Sequence, residues 1–141
     1  MTDLPVRMER MRRTYQAYVR GLQGVRGIAL LPFRLEDGEV PQWIDALIEE
    51  RDVLEAQLAH RGAECRKFWF PIHTQPPYRR SDDQFPHSTS LARKALWLPS
   101  ALTLTDQDIA TVCQWIAECL GSRAGRSDAA GAGAVLAVPP R

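Results

Sequence analysis

The sequence predicts an α+β fold, a small and mainly antiparallel sheet flanked by helices. Three observations carry that prediction. Apolar residues recur at steps of three and four over residues 4–23 and again over 109–120, which is helical spacing. Three runs, 28–35, 42–48 and 64–70, carry strand-like apolar content between Gly, Pro and acidic breakers. The order strand, strand, helix, strand then suits a small antiparallel or mixed sheet with helices on one face.

The elements follow in order. Leu4, Met8, Met11, Tyr15, Tyr18 and Leu22 form one face of a first helix, closed by Gly21, Gly24 and Gly27. Arg7, Arg10, Arg12, Arg13 and Arg20 lie mostly off that face and read as a solvated surface diluted by Glu9. Ile28 to Leu35 reads as a strand that Pro32 confines to an edge or a bulge. Glu36-Asp37-Gly38-Glu39 is a hairpin-type turn, and Gln42 to Ile48 is the return strand. Asp52 with Glu55 makes a capping-box pattern for a second helix, with Val53, Leu54 and Leu58 inward and Gly62 as its stop. Glu64 to Phe70 is a third strand. A short helix from Phe85-Pro86 through Ala95, an extended Leu96-Trp97-Leu98-Pro99-Ser100 and a last helix capped by Thr105 and Asp108 complete the pattern. Ile109, Val112, Cys113, Ile116 and Leu120 face inward on that helix, and Gly121 is expected to end it.

Length and composition set ordinary limits. The chain has 141 residues, 45% of them hydrophobic and 25% charged, as expected of one soluble domain. No apolar run approaches the roughly 20 residues of a membrane span. The N-terminus lacks a secretory apolar region. The three cysteines, Cys65, Cys113 and Cys119, have no metal-type spacing, and their odd number points to a reducing cytoplasm. The net charge of +1 gives no global reason to expect nucleic acid.

The stretch from Cys65 to Tyr78 stands out. Phe68 and Phe70 fall on one strand face, and Pro71 then breaks the ladder because it lacks an N–H. The broken part carries His73, Gln75 and Tyr78 among three prolines, a stiff loop rich in hydrogen-bonding groups and suited to holding a ligand. The alternative is a connector under which Trp69 and Tyr78 merely pack. The chain has no phosphate loop, nucleophile elbow or paired-histidine motif. Cys65, His73 and His87 lack a spacing that fixes a zinc geometry, and Cys65 inside a strand is a weak nucleophile.

Gln42-Trp43-Ile44-Asp45, Arg51-Asp52-Val53-Leu54 and Cys65-Arg66-Lys67-Phe68-Trp69-Phe70-Pro71-Ile72-His73-Thr74-Gln75-Pro76-Pro77-Tyr78 come in that order. Phe85-Pro86, Leu96-Trp97-Leu98-Pro99-Ser100, Leu102-Thr103-Leu104-Thr105 and Val112-Cys113 follow. Together they resemble the C-terminal part of the DegT/DnrJ/EryC1/StrS aminotransferases, and within them the perosamine-synthase group. The resemblance runs from about Arg10 to Leu120. It implies the small C-terminal domain of a fold-type I enzyme that uses pyridoxal phosphate to aminate a nucleotide-linked keto sugar, of the GDP-4-keto-6-deoxy type. It divides the covered part into a linking helix, 1–24, and a small domain, 25–121; beyond it the Ala/Gly-rich composition of 122–141 predicts a disordered tail, in which Val135 to Val138 could dock weakly. The family's cofactor lysine lies upstream, in the large domain, and neither Lys67 nor Lys94 has its context. The resemblance therefore implies no catalytic or cofactor-binding residue here. It implies substrate-binding roles for four residues: Arg66 toward a carboxylate or phosphate oxygen, His73 and Tyr78 toward sugar hydroxyls, and Trp69 as a wall of the cleft. The expected partners are a sugar nucleotide and a cofactor-domain chain or a second copy, with no nucleic acid and no membrane. Alone, the chain is expected to be inactive. The alternatives are a subunit that pairs with a separate chain, and an unrelated interaction protein that uses the N-terminal arginines on acidic partners.

Overall fold

A computed structural model describes residues 3–124. It contains four α-helices and a four-stranded sheet: α1 (Leu4–Gly21), β1 (Ile28–Leu30), β2 (Ile44–Ile48), α2 (Arg51–His60), β3 (Arg66–Lys67), α3 (Pro86–Lys94), β4 (Ala95–Leu98) and α4 (Asp106–Ala124). The sheet order is β1-β2-β4-β3, and every neighbouring pair is antiparallel. The last strand is thus inserted between the second and third.

One core holds the helices against the sheet. Ile44, Ala46 and Ile48 of β2 and Leu96 and Leu98 of β4 project to one face, as period-2 alternation dictates. They meet Tyr15 and Tyr18 of α1 with Leu22 just after it, Leu54 and Leu58 of α2, and Ile109, Val112, Cys113 and Ile116 of α4. Tyr18 is fully buried, and its hydroxyl donates to the Pro99 carbonyl at 2.8 Å. Tyr15 donates to the Leu31 carbonyl at 3.1 Å and meets Phe33 edge-on at 5.2 Å. Near the middle of α1, Arg10 and Arg13 pair with Asp106, at 3.0 and 3.3 Å, which ties α1 to the start of α4.

Two helix ends follow local chemistry. The Thr105 hydroxyl accepts from the Asp108 N–H at 3.1 Å while the Asp108 carboxylate accepts from the Thr105 N–H at 2.7 Å, a reciprocal capping box. At the end of α2, Gly62 N–H donates to Ala59 and Ala63 N–H to Leu58, with Gly62 at φ 88°. That left-handed turn is open to glycine at little cost.

Several expectations change. The capping box at Asp52 does not form: α2 starts at Arg51, and Asp52 and Glu55 instead hold Lys67 of β3. Val53 faces solvent, not the core. β1 stops at Leu30, followed by one more ladder bond from Leu31 N–H to Asp45, because Pro32 has no N–H to continue. The chain to β2 then passes through a 3₁₀ turn, Leu35–Asp37, rather than a two-residue hairpin. β3 is two residues long and does not reach Phe70. Ala95 opens β4 instead of closing α3, and α4 continues through Gly121 to Ala124. The stripe on α1 is buried only in its second half, since Leu4 is 66% exposed. The tail expected to be disordered lies, from residue 125 on, outside the described residues.

Candidate substrate-side face

The helices cover one face of the sheet, and a row of chemistry-bearing side chains occupies the other. Directly opposed residues of an antiparallel pair project to the same side. Asp45 opposes Trp97, and Trp97 opposes Arg66. The three side chains therefore lie in a line across β2, β4 and β3. Trp97 is only 7% exposed there, because Trp43 stacks on it with ring centres 4.6 Å apart and a 14° tilt. Phe68 and Trp69 approach its edge at 5.4 and 5.3 Å. Such pairs contribute about 0.5–1.5 kcal/mol each beyond the area they bury. Trp69 itself remains 66% exposed, so it is not a core residue.

The charges at the ends of the row differ. Burial pushes the Asp45 carboxyl above its ordinary value, and the neighbouring Trp97 indole acts more weakly in the opposite direction. Asp45 Oδ1 and Trp97 Nε1 are nonetheless buried without a hydrogen bond of normal geometry. Arg66 is exposed, and among the described residues its side chain has no hydrogen-bond or ion-pair partner. Its guanidinium is available for an incoming anion.

Beyond β3 the chain makes three consecutive 3₁₀ turns, Ile72–Thr74, Pro76–Tyr78 and Asp82–Gln84, before α3. The prolines that fix the backbone of these turns also deny it ladder donors. The loop carries an apolar surface: Phe70 is 78% exposed and Ile72 and Tyr78 are also open. His73 is different. It is buried, stacked on Phe85 at 4.6 Å, and its Nε2 lies 3.2 Å from both Asp82 Oδ1 and Thr89 Oγ1. Of the four residues singled out in the sequence, Arg66 and Trp69 therefore flank the aromatic row, Tyr78 stands on the exposed loop, and His73 is turned inward.

Sequence reasoning did not single out Trp43, Asp45 or Trp97 as members of this face. A signal existed for Trp97: Leu96 and Leu98 are both large apolar residues on one side of a strand, so the residue between them must face the other way.

Among the described residues the lysines are poorly suited to hold pyridoxal phosphate as an imine. An imine requires a neutral amine, and the chain has two lysines, Lys67 and Lys94. Lys67 Nζ lies 2.9 Å from Asp52 and 3.2 Å from Glu55, and hydrogen bonds to these carboxylates, Asp52 first, raise its pKa further. Lys94 Nζ is held by Glu49 at 2.7 Å. Among the described residues no group of three His, Cys, Asp or Glu side chains stands ready to hold a metal ion.

The architecture, an antiparallel sheet with helices on one face and a decorated opposite face, is that of the small C-terminal domain of fold-type I aminotransferases. The profile of the DegT/DnrJ/EryC1/StrS aminotransferase family matches residues 1–117, and the chain belongs to that family. It is 34% identical over 116 residues to dTDP-4-dehydro-2,3,6-trideoxy-D-glucose 4-aminotransferase of Saccharopolyspora spinosa, covering 79% of this chain and 30% of that protein. It is 31% identical over 70 residues to GDP-perosamine synthase of Escherichia coli O157:H7, covering 50% of this chain and 19% of that protein. Among solved structures, DesI in the presence of its TDP-sugar product superposes with a TM-score of 0.70 at 26% identity, over 80% of this chain and 31% of DesI. The chain thus spans about a third or less of the relatives it matches.

Proposed function

We propose that this chain is the substrate-side portion of a pyridoxal-phosphate aminotransferase acting on a nucleotide-linked keto sugar, of the GDP-4-keto-6-deoxy type, and that it is inactive by itself. The observation that supports this most directly is the unpaired Arg66 beside the exposed wall of Trp69. Arg66 offers two parallel N–H donors to a phosphate or carboxylate, Trp69 provides a flat apolar surface, and Tyr78 presents a hydroxyl. His73 supports the loop that carries Tyr78. The cofactor is held elsewhere in the complete enzyme, since both lysines of this chain are ion-paired.

The test has two parts. Pyridoxal phosphate added to the purified chain, followed by borohydride and mass analysis, should leave no stoichiometric adduct, and an adduct on Lys67 or Lys94 would overturn the proposal. In an assembled enzyme carrying this domain, Arg66→Leu should raise the KM for the sugar nucleotide by about tenfold, the scale of one charged hydrogen bond, with cofactor absorbance unchanged. An unchanged KM removes Arg66 from the site. Competition by GDP against dTDP in the same enzyme decides the nucleotide.

A second reading has its own support. The exposed apolar residues from Phe68 to Ile72 resemble a surface meant to be covered, as expected of a subunit that completes its site with a cofactor-domain chain. Co-purification of the two chains would establish it.

A further inference from the structure

Between Ala63 and Ala95 one residue is buried, and it is His73. Every residue from Thr74 to Ser88 is exposed. A stretch of that length with no apolar anchor of its own must be held by something else, since ordering each residue opposes folding. His73 is the one buried side chain available to it.

Its contacts show how it holds. The carboxylate of Asp82 accepts hydrogen bonds and cannot donate one while ionised. The proton therefore sits on Nε2, which donates to Asp82 Oδ1 and shares that donation with Thr89 Oγ1, both at 3.2 Å. The Thr89 hydroxyl can then turn its own hydrogen to the Asp82 carbonyl at 3.5 Å. Phe85 closes the other side of the ring, stacked at 19°. The His73 carbonyl accepts from Arg80 N–H at 2.9 Å, and Arg93 approaches the second oxygen of Asp82 at 3.6 Å. One imidazole thus joins the first 3₁₀ turn to the third and to α3, which runs directly into β4 and Trp97.

We infer that His73 is a clasp: through Nε2 it fixes the loop to α3, and Asp82, Thr89 and Phe85 are positioning residues for the exposed edge from Trp69 to Tyr78. The use of that edge rests on the sugar-nucleotide reading, but the clasp itself does not. A ligand role would need the ring to face solvent, and 6% exposure leaves it no such face.

The test uses the full chain and two isosteres. A glutamine amide nitrogen falls near the Nε2 position of histidine, and an asparagine amide falls near Nδ1. Solvent exchange of the Thr74, Gln75, Tyr78 and Arg80 amides is measured by NMR for wild type, His73→Gln, His73→Asn and Asp82→Ala. His73→Asn and Asp82→Ala should speed those amides by about tenfold, as loss of a hydrogen bond to a charged group implies. His73→Gln should stay close to wild type. Amides of Leu96 and Ile116 report whether the core remains folded. The ring ¹⁵N spectrum should show a proton on Nε2. Equal exchange in the Gln and Asn variants, no change in Asp82→Ala, or an Nε2 that carries no proton would overturn the clasp. None of these readouts depends on sugar-nucleotide binding, so failure of the clasp and failure of the substrate reading are separate results.

Discussion

Replacing Tyr18 by phenylalanine removes one oxygen from the centre of the molecule and nothing else. The ring is fully buried between α1 and the sheet, so its packing survives the change. The lost bond runs from its hydroxyl to the Pro99 carbonyl at 2.8 Å, and the carbonyl is left without that donor. A hydrogen bond lost in this way costs about 1–1.5 kcal/mol. An unfolding entropy of about 2.1 cal/mol/K per residue over roughly 120 ordered residues converts that to a Tm lower by about 4–6 °C. The alkaline limb adds a second, independent signature. Burial, and after it the neighbouring thiols of Cys113 and Cys65, push the Tyr18 phenol above its ordinary 10.0. A raised folded-state value means that the unfolded chain releases this proton first as pH rises. The stabilisation is complete below about pH 10 and falls above it by about 1.4 kcal/mol per pH unit. Phenylalanine has no proton to release. The deficit of Tyr18→Phe, full at pH 8, should therefore close near pH 11. Urea unfolding of both proteins at pH 8 and pH 11 measures it. A deficit that is absent at pH 8, or as large at pH 11 as at pH 8, refutes the reasoning.

Two other outcomes follow from close packing and burial. A Cβ added at Gly21 would sit 2.6 Å from Cys113 Sγ and 2.9 Å from its Cβ. Gly21→Ala should therefore destabilise by about 1–3 kcal/mol despite alanine's better helix propensity, and Cys113→Ala in that background should recover part of the loss. No recovery in the double variant would place the strain elsewhere. Cys65 is held up to about 12 by burial and then by Glu55. Its thiolate fraction at pH 8 is about a thousandfold below that of an ordinary thiol, so iodoacetamide should label it that much more slowly in the native chain than in denaturant. Comparable rates would mean that β3 opens readily.

What was legible in the sequence was local. The α4 start was readable because Thr105 and Asp108 satisfy each other's backbone donors within one turn. The break at Pro71 was readable because proline lacks a donor whatever surrounds it. Asp52 shows the limit of the same logic. Its spacing to Glu55 was right for a cap, yet Lys67, brought beside it by the sheet, recruits both carboxylates. His73 shows it again: its residue type suggested a ligand group, and its burial among Asp82, Phe85 and Thr89 depends on partners nine to sixteen residues further along the chain.

The sequence by itself determined the α+β class, the positions of the long helices, the stiff loop after β3 and the family resemblance, because periodicity, capping and proline chemistry act over a few residues. Only the tertiary structure decided that β4 lies between β2 and β3. That insertion lines up Asp45, Trp97 and Arg66 on the face away from the helices. Strand pairing of this kind is chosen by which long-range arrangement buries Ile44, Leu96, Ile116 and their neighbours together, and no local spacing encodes it.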